Sequence, residues 1–277
     1  MTMKNLLPLI GLLCLLSNPS VAGSTAKTSP QFATEEITLF AKSVEKYAAA
    51  KGARAFIIGR MGRPAEELPE GIEFTHTAVA IYSSITLSSG DVVKGYAIHN
   101  LYQQEQQIDR SELVTDYPVD FFWSAYALRA GIIIPSPGLQ QRLINAYANG
   151  VHQQVHRPAY SVIANPFNEE YQNCTEHTLD VINAAIYDTT DYAQLKANTQ
   201  AHFKAQRIHI SGVKLALGSA LMKDVTTRDH KGKVLTATFG SIGAYLAQNH
   251  LLREAIILEQ DGSQNPLRDV QPWLAQR

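Results

Sequence analysis

Phe74-Thr75-His76-Thr77-Ala78-Val79-Ala80-Ile81-Tyr82 opens with alternating polar and apolar side chains and runs on into apolar residues, the pattern of a strand laid on a core. Gly90-Asp91 then predicts a turn, and Val92 to His99 a strand returning beside the first. Upstream, Ala55-Phe56-Ile57-Ile58 predicts a short strand, and Arg60 to Gly71, carrying Pro64 and Pro69, a loop between the two. The three segments resemble an antiparallel meander. An imidazole on a strand is held more rigidly than one on a loop, so His76 is a candidate base. If its strand pairs with the next, His99 accepts the second ring proton and fixes the tautomer.

On the N-terminal side, Ile37, Phe40, Ala41, Val44 and Tyr47 recur at helical spacing up to Gly52, with Glu35 and Glu36 in the first turn. Beyond the meander, Tyr117 to Trp123 predicts a short helix, Ile132-Ile133-Ile134 a strand, and Ser136-Pro137 the start of a helix closed by Gly150. After Asp191 the pattern predicts a helix to about His202, strands at Ile208 to Ile210 and Val234 to Phe239, a Gly-rich apolar stretch from Gly212, and a helix from Ser241.

The second chemically loaded segment is Tyr171-Gln172-Asn173-Cys174-Thr175-Glu176-His177, where a turn enters a helix continued by Leu179, Val181, Ile182, Ala185 and Ile186. Asn173 is a good cap residue. The unpaired amides of a helix start stabilise a thiolate and can hold a developing oxyanion, so Cys174 reads as a nucleophile. The competing reading is a buried, inert cysteine, or one linked to another chain.

The compartment sharpens that choice. Lys4, the apolar stretch Leu6 to Leu16 and Ser20-Val21-Ala22 before Gly23 read as a secretory leader cleaved near Ala22. Cys14 leaves with it, and Leu13 before it does not suit a lipid anchor. Cys174 is then the last cysteine, with no second one to form a disulfide within a periplasmic or secreted chain of about 255 residues. Charged residues are 18% of the sequence and the net charge is -1, with no basic run, so nucleic-acid binding is not expected. No later segment has the ~18 unbroken apolar residues of a membrane helix.

The strand histidine, the polar residue expected to support it on the next strand, and an Asn-Cys-x-Glu helix start resemble the permuted branch of the NlpC/P60 papain-like cysteine hydrolases. The block from Tyr160 to Leu179, with the His76 strand and the leader, also resembles the uncharacterised secreted proteobacterial family called domain of unknown function 2145. The first resemblance implies an α+β, papain-like antiparallel sheet packed against helices, with Cys174 as nucleophile, His76 as base and His99 as the orienting residue. It makes cell-wall peptide the leading substrate, with other amides and acyl esters open. The expected organisation is a leader over 1–22 and one exported domain over 23–277, with a core over about 31–210 and a C-terminal α/β extension over about 211–277. The alternative is a catalytically silent periplasmic binding domain of the same fold.

Other residues have weaker roles. His209 is the alternative base and would restore the unpermuted order. Tyr171, Gln172, Asn173 and Glu176 are weak candidates for substrate or oxyanion contacts, each with a plain role in shaping the turn or complementing the helix end. Arg60, Arg63 and Glu73 are candidates for lining a cleft, against the commoner reading as solvated loop charges. His177 shares a helix with Cys174 and reads as supporting or surface. His152 and His156 have helical ligand spacing but no evident third ligand, so neither a metal nor a cofactor is expected. Asp229-His230-Lys231-Gly232 reads as a polar turn.

Overall fold

A computed structural model describes residues 29–209 and 224–275. The leader over 1–22, the Gly-rich stretch from Gly212 and the strand end at Ile210 lie outside the described residues.

Seven strands form one antiparallel sheet: β1 Ala55–Met61, β2 His76–Thr86, β3 Val92–Gln103, β4 Ser111–Asp116, β5 Ala127–Pro135, β8 Leu252–Glu259 and β9 Gln264–Pro266, in the order β4-β3-β2-β1-β5-β8-β9. Helix α1 (Thr34–Ala50) and the short α2 (Pro118–Trp123) cover one face. The other face carries α3 (Pro137–Ala148), α4 (Val151–Gln154), α5 (Cys174–Tyr187), α6 (Tyr192–His202) and α7 (Phe239–Gln248). A four-residue α8 (Gln271–Leu274) follows β9. None of the described helices is long and apolar enough to cross a membrane.

Strand alternation sorts the core into two halves. Phe56, Ile58, Ala78, Ala80, Ile98, Ile132 and Ile134 meet Ile37, Phe40 and Val44 of α1, whereas Ile57, Val79, Ile81 and Ile133 meet Leu179 and Ile182 of α5 and Ile242 of α7. The unbroken Ile132-Ile133-Ile134 is apolar throughout because β5 is covered on both faces. Each large apolar side chain withdrawn from water here contributes ~1.5–3 kcal/mol.

The strands run longer than the sequence patterns predict, and those patterns do not predict β4, β8 or β9. The tail, expected as an extension, supplies β8 to the same sheet beside β5. Where strands are expected at Ile208 and over Val234 to Phe239, the described residues make a ribbon of two strands of two residues each, β6 (Gln206–Arg207) and β7 (Leu235–Thr236). Two glycines explain how α7 sits so close. Gly59 and Gly131 pair across β1 and β5, and a Cβ on Gly131 would lie 2.5 Å from Cε1 of Phe239, one on Gly59 2.9 Å from its Cδ2.

Candidate functional site

Helix α5 begins as its sequence predicts. The Asn173 side chain accepts from Thr175 N (3.1 Å) and Glu176 N (2.9 Å), and its Nδ2 donates to Val162 O (2.9 Å), which ties the cap to the preceding loop. This places Cys174 in the first turn. Its side chain packs with Leu101 and Tyr160, the sulfur lies 4.0 Å from Thr75 O and 3.8 Å from Thr175 Oγ1, and the residue is 4% exposed.

His76 is the first residue of β2, directly after Thr75. Its ring lies on the α2 side of the sheet, stacked on Tyr102 with centroids 4.8 Å apart and tilted against Phe121. Its neighbour Thr77 turns to the other side and meets α5, where Thr175 Oγ1 donates to Thr77 Oγ1 at 3.3 Å. The thiol and the imidazole therefore flank the start of β2. His76 Nε2 lies 2.9 Å from Asn100 Oδ1, while His76 Nδ1 is buried and makes no hydrogen bond, to Cys174 or to any other described residue. Burial, then the Arg60 cation, push the His76 pKa well below the usual histidine value, so the ring is neutral at neutral pH.

His99 does not take the orienting position expected of it. It is adjacent to Asn100 on β3 and so points to the opposite face, where it stacks on Tyr147 of α3 at 4.4 Å and faces Thr115 Oγ1 at 3.3 Å. Asn100 stands against His76 instead. The apolar pattern of β3 held the clue, since Tyr96 and Ile98 face the α1 side and Asn100 continues their row. Asn100 Nδ2 in turn donates to Ile98 O (3.0 Å) and Asp116 Oδ2 (3.3 Å), and Tyr102 OH donates to the same carboxylate oxygen at 2.6 Å.

Arg60 is not a loop residue. It lies on β1 opposite His76, is 3% exposed, and donates to Phe121 O (2.6 Å) and Ser124 Oγ, with its guanidinium 5.3 Å from the Phe121 ring and 5.8 Å from the Tyr102 ring. Burial lowers its pKa, while Tyr102, Asp116 and Cys174 act in the opposite sense. A fixed cation thus sits within electrostatic reach of both the thiol and the imidazole. Arg63 and Glu73 are partly exposed and pair elsewhere, with Glu67 at 3.8 Å and Arg129 at 3.9 Å.

The remaining candidates fall into structural roles. Gln172 is fully buried, accepts from Arg157 N (2.9 Å) and donates to Asp180 Oδ2 (2.8 Å) and Val155 O (3.1 Å), so its amide is committed to the turn. Tyr171 is half-buried beside it. Glu176, Asp180 and Lys196 form a buried charge cluster, with Lys196 Nζ 2.7 Å from Glu176 Oε1 and 3.0 Å from Asp180 Oδ1. His177 is buried, not on the surface, and meets His156 edge to face at 5.9 Å. His99, Thr115, His152 and His177 border a cavity of about 80 Å³. No group of three or more His, Cys, Asp or Glu side chains suited to a metal occurs among the described residues. His209 is exposed. The turn at Asp229 is tied inward, its side chain accepting from Asn165 N at 2.8 Å while His230 Nε2 lies 2.8 Å from Ile163 O.

Residues 47–246 match the model of a family described as an uncharacterised protein conserved in bacteria, DUF2145. The match runs from the end of α1 through α7 and takes in Cys174, His76, Asn100 and Asp116. No curated protein and no solved structure matches the chain.

Proposed function

Because the chain belongs to the DUF2145 family, whose description assigns no chemistry, we propose from its own residues that it is an exported cysteine hydrolase or acyl transferase of permuted papain-like type. The observation that carries the reading is a constellation at one end of the sheet. A capped helix start presents Cys174 4.0 Å from the carbonyl of Thr75, and the next residue, His76, is held through Nε2 by Asn100. The order strand histidine, adjacent-strand asparagine, helix-start cysteine is the permuted one.

In this reaction the Cys174 thiol proton passes to His76 Nδ1 as the sulfur bonds to an amide or ester carbonyl carbon. The oxyanion is held by the first-turn amide of Cys174. Collapse breaks the bond to the amine or alcohol, which takes the proton from Nδ1, and water or a second acceptor releases the acyl group from sulfur. The step requires Nδ1 and sulfur to meet, directly or through one water, in the substrate complex. Export by the leader over 1–22 would deliver the protein to the periplasm, where cell-wall stem peptides are the leading substrate and acyl esters the next.

The test is alkylation of the native protein with iodoacetamide, followed by release of peptide fragments from purified sacculi. Reaction at Cys174 near neutral pH, slowed tenfold or more by His76→Ala, and fragment release lost in Cys174→Ala support the reading. A native thiol that does not react favours the second reading, a catalytically silent binding domain. The observation behind that alternative is a cysteine only 4% exposed and a buried imidazole nitrogen of His76 that makes no hydrogen bond to it.

A further inference from the structure

We propose that Asp116 is a positioning residue, which holds the Asn100 amide in one orientation and thereby keeps the proton of His76 on Nε2, leaving Nδ1 as the proton-accepting nitrogen. The inference rests on the role given to His76 above, but its own test does not.

An asparagine amide has a donating end and an accepting end of nearly the same shape, so its neighbours choose the orientation. Asn100 Nδ2 faces two oxygens that can only accept, Ile98 O at 3.0 Å and Asp116 Oδ2 at 3.3 Å. The reverse orientation would set the amide oxygen against both of these acceptors, two oxygen–oxygen contacts with no hydrogen between them. Asn100 Oδ1 is therefore the atom 2.9 Å from His76 Nε2, and an accepting oxygen there requires Nε2 to carry the hydrogen.

Asp116 acts twice. It lies on β4 opposite Ile98, so the carboxylate and the Ile98 carbonyl grip the amide together. The same Oδ2 accepts from Tyr102 OH at 2.6 Å, and the Tyr102 ring is the surface on which the imidazole stacks, with an interplanar angle of 12°. One carboxylate thus sets both the proton position and the ring plane of His76. The tautomer is meaningful because the ring is neutral, kept so by burial and by Arg60.

The experiment is long-range ¹H–¹⁵N correlation on full-length protein labelled at histidine, with His76 assigned by His76→Gln. Wild type should show a protonated Nε2 and a bare Nδ1; a protonated Nδ1 overturns the proposal without any Asp116 variant. In Asp116→Leu, folded by its dispersed amide spectrum, the tautomer ratio should shift toward Nδ1–H by about tenfold, the worth of one buried hydrogen bond. Asp116→Asn, which keeps an accepting oxygen, should restore the wild-type ratio. Unchanged His76 signals in folded Asp116→Leu overturn the assignment; should that protein not fold, Asp116→Ser is read by the same criterion. A shifted tautomer with an unaltered Cys174 alkylation rate upholds Asp116 and removes the thiol–imidazole dyad instead.

Discussion

Lys196 Nζ of α6 lies 2.7 Å from Glu176 Oε1 of α5, one ion pair sealed from solvent two residues beyond Cys174. Burial pulls the Lys196 pKa down, but Asp180 and Glu176 together outweigh it and leave it raised, so the ammonium is held charged. Burial likewise pushes Glu176 up, to about 8, against the pull of Lys196. The cluster fastens α6 to the helix that carries the thiol.

Lys196→Met should cost roughly 3–5 kcal/mol, because it leaves Asp180 and the Glu176 carboxyl beside it buried without their cation. Urea unfolding followed by fluorescence measures the loss. Adding Glu176→Gln should recover part of it, since the two positions share one interaction. A single variant as stable as wild type would show that the cluster holds nothing.

Asn173→Ala removes the acceptor for Thr175 N and Glu176 N and the donor to Val162 O. The expected cost is about 1 kcal/mol or somewhat more. Hydrogen exchange should accelerate over the first turn of α5, around Thr175 to His177, while the middle of the helix stays protected. Uniform protection in the variant would contradict the capping role.

Gly131→Ala forces a methyl group to within 2.5 Å of Phe239 Cε1, 2.7 Å of its Cζ and 2.9 Å of Phe74 Cε2. Two rings must move, so a loss of ~1–3 kcal/mol is expected in chemical denaturation. Combining it with Phe239→Leu should relieve part of the strain, a non-additivity that an unrelated defect would not produce.

Acid should expose the neutral histidines. Burial, and then His152, lower His99 from the ordinary 6.5 to about 4. Below about pH 6.5 the unfolded chain takes up this proton and the folded chain does not, so stability falls with falling pH until about pH 4, where the loss is complete. With its partial exposure, His99 accounts for ~2 kcal/mol of this. Glu176, raised to about 8, works the other way, gaining stability as pH falls through that value. The readout is therefore the stability difference between wild type and His99→Gln, which should shrink by that amount between pH 7 and pH 4. A constant difference would place the His99 titration at its ordinary value.

The helix start at Asn173-Cys174, the strand bearing His76, the turn at Gly90-Asp91 and the amphipathic α1 were legible in the sequence, because capping chemistry and the periods of helix and strand act over a few neighbouring residues. What stands beside His76 was not. His99 and Asn100 are adjacent in the chain, and only the pairing of β2 with β3 decides which of them shares its face. Arg60 could not be told from a solvated loop charge until β1 ran on to Met61 and α2 closed over it. Lys196 finds Glu176 across two helices, and β8 reaches β5 from more than a hundred residues away. Local conformation follows from local residues; the partners of buried polar groups follow from register and packing, which the whole chain settles at once.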